Sequence, residues 1–369
     1  MIHNKKLRIG ILGGGQLGAM LIRSAIDYGF DISVLDKDVD APAARYTNSF
    51  FRGDPENYED VVAFGAKCDI VTIEKEAVST EALKYLQNKG VQIHPSPELI
   101  ATIQDKQEQK EFLKLHNIPV VPYVSVANKE GLYGHTSRLP ACLKMRRNGY
   151  DGKGVMMLHN EKDIENAFDG PAILEEKIRI KQEISVIVAR GKDGAIEYYE
   201  PTLMVFDPVK HLLDFQICPA GLDFEITNQA YEIAIKIATK MSLVGIMAIE
   251  MFITDDNKLL VNEIAPRPHN SGHHTIEACT TSQYEQLIRA ITGIPLGDTR
   301  LNCKAGLVNL IETGKQFDLK GIMNRPAIHL HYYGKQNSRP GRKIGHITIT
   351  EPNIEGVIAQ IAAIKNILN

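Results

Sequence analysis

The alternation of apolar and polar positions is clearest between Gly245 and His274, where two runs rich in Ile, Val and Phe flank Thr254-Asp255-Asp256-Asn257-Lys258. β-branched and aromatic residues interrupted by Asp and Asn predict a β-hairpin. Each arm carries one acid in its middle, Glu250 and Glu263. A turn centred between Asp256 and Asn257 makes these two carboxylates direct cross-strand partners, with Cβ atoms about 4.5–5.5 Å apart. A loop of odd length would break that pairing.

Elsewhere the pattern predicts a strand at Leu7–Leu12, a glycine turn, an amphipathic helix to Tyr28 and a second strand at Ile32–Leu35. Cys68–Ile73 reads as a further buried strand, and Glu98–His116 as one long helix leading out of the first domain. Beyond Pro119 and Pro122 the chain turns β-rich: strands at Ala141–Met145, Val155–Leu158, Ala172–Glu175 and Glu183–Ala189, with a helix at Lys162–Phe168. Helices follow at Ile226–Met241 and Tyr284–Thr292, the latter stopped by Gly293-Ile294-Pro295. The tail reads as strands Leu307–Ile311, Ala327–Tyr332 and Ile344–Ile349 and a helix Ile354–Leu368. The fold class is therefore α/β and α+β in several domains: a Rossmann-like unit over residues 1–106, a larger unit over 107–299 and a small α+β unit over 300–369.

A chain of 369 residues, 44% hydrophobic and 24% charged, is long enough for two or three cores of ordinary composition. A net charge of −3 excludes a nucleic-acid partner held by phosphate neutralisation. Five dispersed cysteines form no CxxC pair, and no apolar stretch suits a leader or a membrane span, so a cytoplasmic protein is expected.

Chemistry concentrates at a few places. Two carboxylates facing one another on half-buried strands cost several kcal/mol unless something neutralises them. Oxygen ligands, with Asn262 beside Glu263, suit Mg2+ completed by a nucleotide's phosphates. The alternative has one glutamate turned outward or paired to Arg267. The segment Ala265-Pro266-Arg267-Pro268-His269-Asn270-Ser271-Gly272-His273-His274 reads as an extended anion-binding loop rather than a zinc site. Arg146 to Gly154, with three glycines and three cations between two strands, reads as a lid suited to polyphosphate. A plain solvated hairpin tip is the other reading.

Gly13-Gly14-Gly15-Gln16-Leu17-Gly18, with Asp36 about twenty residues on, matches a dinucleotide fingerprint. A phosphate from another ligand, or tight packing alone, fits it as well. Glu76, just past a parallel strand, is a candidate ligand contact or a helix-capping acid. Lys335, Arg339, Arg342 and Lys343 in the tail turn form either a solvated loop or a phosphate clamp.

G-I-L-G-G-G-Q-L-G, R-N-G-Y-D-G-K-G, N-E-I-A-P-R-P-H-N-S-G-H and R-P-G-R-K-I-G-H, in this order over nearly the whole chain, resemble the ATP-grasp ligases. The match is strongest to the 5-(carboxyamino)imidazole ribonucleotide synthases of purine biosynthesis. The resemblance implies that the 107–299 unit is an ATP-grasp domain. It also implies an ATP-dependent carboxylation of aminoimidazole ribonucleotide by bicarbonate, through carboxyphosphate, in a homodimer that uses ATP and Mg2+.

By motif, Glu250 and Glu263 would hold Mg2+. Lys106, Lys144, the lid residues Gly149, Tyr150, Asp151, Gly152, Lys153, Gly154 and Val155, and Asn262 with Glu263 would contact ATP. Glu175, Glu176, Lys177, Ile178 and Glu183 would hold adenosine, with Asp207 aligned where the family has a histidine. Gln16, Glu76, Tyr150, Arg267, His269, Asn270, Ser271, Lys335, Arg342 and Lys343 would surround the ribonucleotide and bicarbonate, with Asp151, Lys153 and Arg267 catalytic.

Departures from the family pattern fall at Lys75, Ala77, Lys106, Asn148, Val155 and Asp207. An NAD-dependent oxidoreductase, favoured by the first fifty residues alone, leaves the acidic hairpin, the lid and the basic turn without a role. A catalytically silent nucleotide-binding regulator would not need both acids. Within ATP-grasp enzymes the other readings are a formate-dependent glycinamide ribonucleotide transformylase or a biotin carboxylase, and the tail motif favours the imidazole substrate.

Overall fold

The computed structural model describes residues 7–149, 154–207, 213–314, 317–336 and 338–368. The N-terminal sheet contains β1 (Arg8–Leu12), β2 (Asp31–Asp36), β3 (Ser49–Arg52), β4 (Ile70–Ile73) and β5 (Gln92–Ile93), all parallel, in the order β3-β2-β1-β4-β5. Helices α1 (Gln16–Ala25), α2 (Tyr58–Gly65) and α3 (Thr80–Asn88) connect its strands. The strand order reverses between β1 and β4, where open α/β sheets place ligands beyond the strands' carboxyl ends. Gln16 and Glu76 follow those two strands.

The predicted helix over 98–116 is two helices, α4 (Pro97–Gln104) and α5 (Lys106–Leu115). Asp105 breaks them: its backbone is extended and its carboxylate accepts the N–H groups of Gln107 and Glu108 as the cap of α5. Arg146 grips both oxygens at 2.9 and 2.6 Å, and Arg147 adds a contact at 3.2 Å. Burial alone would raise the Asp105 pKa, but the Arg146 guanidinium outweighs it and holds the carboxyl below its ordinary value. The break makes Lys106 the first residue of a new helix and ties that helix to Arg146 and Arg147, just beyond residues 141–145.

A second, four-stranded antiparallel sheet has the order β6-β9-β7-β8, from β6 (Tyr123–Val126), β7 (Ala141–Met145), β8 (Val155–Leu158) and β9 (Ala172–Glu176). The helix expected at 162–168 is a short 3-10 turn, Glu161–Asn166, closed by reciprocal Asn160 and Asp163 capping bonds and ended by an extended Ala167.

The third sheet has nine strands: β10 (Ile180–Arg190), β11 (Ile196–Tyr198), β12 (Thr202–Phe206), β13 (Leu213–Cys218), β14 (Gly245–Thr254), β15 (Leu259–Ala265), β16 (Lys304–Ile311), β17 (Ile328–Tyr332) and β18 (Lys343–Glu351). Its main path is β15-β14-β10-β12-β13-β16-β18-β17, so the sheet runs without a break across residue 300, joined where β13 pairs β16. Helix α6 (Phe224–Lys240) buries Ala230, Ala234 and Ile237 against one face, with Ile184, Val186, Met247, Ile249 and Met251. Each such aliphatic side chain contributes about 1.5–3 kcal/mol when fully buried.

The opposite face of β10 and β14 changes character along its length. Ile187, Ala189, Ile246 and Ala248 pack with α1 of the first domain and, after the short α7 (Thr275–Ala278), with α8 (Gln283–Thr292). Two residues further on the same face presents Ser185, Glu183 and Glu250. Helices α9 (Leu319–Met323) and α10 (Ile354–Leu368) close the C-terminal end of the sheet.

Replacing Asp105 with Ala removes a cap and leaves two guanidinium groups without their buried counter-charge. Urea unfolding of Asp105→Ala is expected to show a loss of about 2–4 kcal/mol.

Candidate active site

The hairpin of β14 and β15 reaches the predicted carboxylate pairing by a different route. Thr254 donates its N–H to the Lys258 carbonyl at 3.0 Å, and Asn257 is left-handed at φ 59°, so the loop has three residues centred on Asp256. Near the tip the register is accordingly displaced by one: Ile253 faces Leu259, Phe252 faces Leu260 and Met251 faces Val261. A bulge at Asn262 then adds one residue to β15 and restores the opposition of Glu250 and Glu263. The odd-length loop is real, and the bulge cancels it.

Burial, with the neighbouring charges of Glu263 and Glu183, pushes the Glu250 carboxyl up to about 7. Glu263 goes the other way: burial would raise it, but the Lys106 ammonium at 2.6 Å holds it below its ordinary value. Arg267, the alternative partner, instead pairs with Glu76 at 2.8 Å. Glu183, one strand over, is pushed up to about 7 by burial.

Lys144, on β7, bonds the Asn262 side-chain oxygen at 2.9 Å and Glu175 at 2.7 Å. Glu175 in turn meets Lys110 at 2.7 Å. Both Glu175 and Lys110 are almost wholly buried, so the Glu175 carboxylate is consumed as an internal counter-ion. Glu176 and Lys177 emerge exposed beyond it, and Ile178 half-buried.

The proline-flanked loop lies against this acidic face. His269 places Nε2 at 3.4 Å from Glu250, and burial drives its pKa down to about 3, so the ring is neutral. Asn270 bridges Gln216 at 2.7 Å and Asn309 at 2.9 Å, and Ser271 meets Ser185 at 2.7 Å. From the tail turn, Lys335 bonds the Lys343 carbonyl at 2.8 Å, and the Lys343 charge reaches Glu250. Arg342 is exposed at the start of β18.

Mg2+ fits this donor set. Among the described residues no three His, Cys, Asp or Glu side chains converge as a closed metal site, which disfavours zinc. Two facing carboxylates, one of them pushed up to about 7 by burial and by its acidic neighbours, match a metal that takes one or two carboxylates and completes its shell elsewhere.

Comparison with known proteins matches three successive stretches of the chain. A ribonucleotide synthetase preATP-grasp domain matches residues 6–104, an ATP-grasp domain residues 111–284, and a phosphoribosylaminoimidazole carboxylase C-terminal domain residues 305–360. N5-carboxyaminoimidazole ribonucleotide synthase of Bacillus subtilis is 38% identical, over 92% of this chain and 90% of that protein. The chain belongs to the N5-carboxyaminoimidazole ribonucleotide synthase family. The crystal structure of the synthetase from Thermotoga maritima superposes with a TM-score of 0.91 at 40% identity, covering 98% and 99% of the two chains. The Aspergillus clavatus enzyme, solved with ADP and 5-aminoimidazole ribonucleotide, superposes at 0.90 with 30% identity and 98% coverage of each chain.

In this synthase the dinucleotide fingerprint does different work. Asp36 accepts the Gly14 N–H at 2.6 Å, and the buried Glu74 carboxyl, pushed up to about 7 by burial, lies beneath the glycine turn. A Cβ on Gly13 would sit 2.5 Å from a Glu74 oxygen, so glycine is needed there for a side chain of the protein itself. A carboxyl of the protein itself lies at the turn where a dinucleotide's phosphates would lie.

Asn148, where the family has a lid glycine, adopts a left-handed φ of 63°, which Asn tolerates better than most residues. Tyr150, Asp151, Gly152 and Lys153 lie outside the described residues. Gly149 is half-buried, Gly154 bonds Met145 through its carbonyl, and Val155 is exposed on β8. Gln16 is half-buried at the start of α1, and Asp207 is half-buried beyond β12.

Sequence reasoning missed Lys110, Ser185, Gln216, Gln283 and Asn309. Ser185 alone left a signal, two residues from Glu183 on an alternating strand. The others belong to segments that read as ordinary core or helix.

Glu250 keeps its proton in the fold to about pH 7, whereas an ordinary glutamate ionises near 4.5. Its stabilising contribution is therefore complete below pH 4.5 and is lost as pH rises through about 7. Without metal or nucleotide, Glu250→Gln is expected to stabilise the protein at pH 8 by about 2 kcal/mol and to lose that advantage near pH 4.5, as read by chemical denaturation at the two pH values.

Proposed function

We propose that this enzyme carboxylates 5-aminoimidazole ribonucleotide with bicarbonate, converting ATP to ADP and phosphate. The observation that carries the reading is the facing pair Glu250 and Glu263, flanked by Lys106 and Lys144 and covered by the Arg267–Ser271 loop. The family's purine-biosynthetic role and the ribonucleotide complex of the Aspergillus relative support the substrate. No helix among the described residues is long and apolar enough to cross a membrane, and we assign the enzyme to the cytoplasm as a homodimer.

Phosphoryl transfer needs positioning and charge neutralisation more than a protein nucleophile. Mg2+ bound by Glu250 and Glu263 would supply charge neutralisation at the ATP phosphates. Lys106 and Lys144 add fixed positive charge, and Glu176–Ile178 with Glu183 hold adenosine. A bicarbonate oxygen attacks the γ-phosphorus, and the bond to the ADP oxygen breaks to leave carboxyphosphate. The exocyclic amine of the ribonucleotide then attacks the carboxyl carbon, phosphate departs and the nitrogen gives up a proton.

Water must be excluded while carboxyphosphate exists, and the lid over residues 149–155 serves that purpose. Gln16, Glu76, Arg267, His269, Asn270, Ser271, Lys335, Arg342 and Lys343 surround the ribonucleotide and bicarbonate, with Asp151, Lys153 and Arg267 at the reacting atoms.

The test incubates the protein with ATP, Mg2+ and bicarbonate and follows phosphate. Release is expected only when aminoimidazole ribonucleotide is added, and release that ignores the ribonucleotide would count against the substrate. Glu263→Gln is expected to cut ADP formation by about a thousandfold in the same assay while the fold, followed by circular dichroism, persists. Lys153→Ala should lower turnover through the lid, and unchanged kinetics would make that loop a solvated hairpin.

A further inference from the structure

Gln283, the first residue of α8, is fully buried and touches the active-site loop at its main chain. Its side-chain oxygen accepts the His269 N–H at 2.9 Å, and its side-chain nitrogen donates to the His269 carbonyl at 2.8 Å. One primary amide thus satisfies both main-chain groups of one residue, as a neighbouring β-strand would. With both groups tied, His269 is held at φ −130° and ψ 156°.

The fit is close. A Cβ on Gly272 would lie 2.6 Å from the Gln283 oxygen, so the loop needs glycine where the amide enters. The Gln283 main chain is itself anchored, since its backbone N–H donates to the Thr275 hydroxyl at 2.9 Å.

The clamp governs where the His269 ring points. Nδ1 accepts the Ser271 N–H at 3.3 Å and lies 2.9 Å from the Ser271 hydroxyl, which meets Ser185 at 2.7 Å. A backbone N–H can only donate, so Nδ1 is the acceptor of that bond and the ring proton falls on Nε2, the atom 3.4 Å from Glu250. The ring orientation therefore depends on a main chain that Gln283 ties at both polar groups, with the Gly272 N–H also donating to the His269 carbonyl at 3.0 Å.

Resting on the function proposed above, we infer that Gln283 is a positioning residue of the carboxylation: its amide fixes the His269 main chain, aims the imidazole Nε2–H at Glu250 and holds the Arg267–Ser271 loop in the shape that receives the ribonucleotide. It touches no substrate and acts through His269. The ionisable groups facing the amide are His269 and His273 of the loop, the latter 3.3 Å away and bonded to the Tyr284 hydroxyl.

Two variants test this beside the wild-type enzyme. Gln283→Leu, kept only at temperatures where its melting curve shows it folded, is expected to lose about a hundredfold in kcat/KM for aminoimidazole ribonucleotide, with KM for ATP within about twofold of wild type. Gln283→Glu is expected to lose as much at pH 8.5. At pH 6 it should recover to within about fivefold of wild type, because a protonated carboxyl again offers one donor and one acceptor.

A packing role alone would produce no such recovery. Gln283→Leu kinetics within twofold of wild type, or a Gln283→Glu deficit that does not change with pH, would overturn the assignment. Imidazole 15N shifts give a readout without turnover: His269 should show one fixed Nε2–H tautomer in the wild type and averaged shifts in Gln283→Leu, and an unaltered spectrum would also overturn it. A wild-type enzyme that ignores the ribonucleotide would fail the proposed function alone, and the 15N shifts would still decide the clamp.

Discussion

Two carboxylates held opposite one another in a sheet repel, and neither can move away without breaking the ladder that places it. Glu250 and Glu263 are in that position, and the surrounding structure is arranged around the resulting charge. Lys106 compensates Glu263 directly, whereas Glu250 is left with a neutral imidazole and is driven toward its protonated form. The asymmetry leaves the pair with one carboxylate held ionised and one held toward its neutral form, which suits the dication proposed above. A site already neutralised by protein cations on both acids would have little affinity left for the metal.

The charges are aimed by local irregularities in otherwise regular elements. The break at Asp105 starts a helix at Lys106 and points that lysine at Glu263, while the same carboxylate holds Arg146 just beyond β7. The bulge at Asn262 corrects the register and also turns an amide oxygen toward Lys144. Lys144 is shared between that amide and Glu175, and Glu175 between Lys144 and Lys110, so one buried chain of charges links the four-stranded sheet to the hairpin. Such a chain is costly if any member is removed, because its neighbour is then stranded in a medium that cannot solvate it.

The third sheet supplies the frame. One face of β10 and β14 is apolar along its length against α6, and the other turns from apolar packing to acids within two residues. The proline-flanked loop sits at that change, with the first domain gripping it through Glu76 and Arg267 and the C-terminal strands through Asn309 and Asn270. All three parts of the chain therefore contribute side chains to one cleft. The glycine turn of the first domain is filled from below by Glu74.

The sequence by itself determined the elements and most of the chemistry. Period-two alternation marked β14 and β15, turn residues marked the hairpin, and motif spacing identified the family, because these signals are local and survive without neighbours. It could not show that the hairpin loop has three residues and that a bulge compensates, since the two shifts cancel at the acids and become visible only in the ladder.

Nor could it separate α4 from α5, because Gln104 to Glu111 is a run of mostly helix-favouring polar residues with no Gly or Pro to mark a break. What breaks the helix there includes a pair of arginines some forty residues away. Lys110, Gln283 and Asn309 read as ordinary helix and strand residues, and their roles exist only where distant segments meet. Short-range pattern decides which elements form. Partners far apart in the chain decide which charge each element is made to face, and those were set by tertiary structure alone.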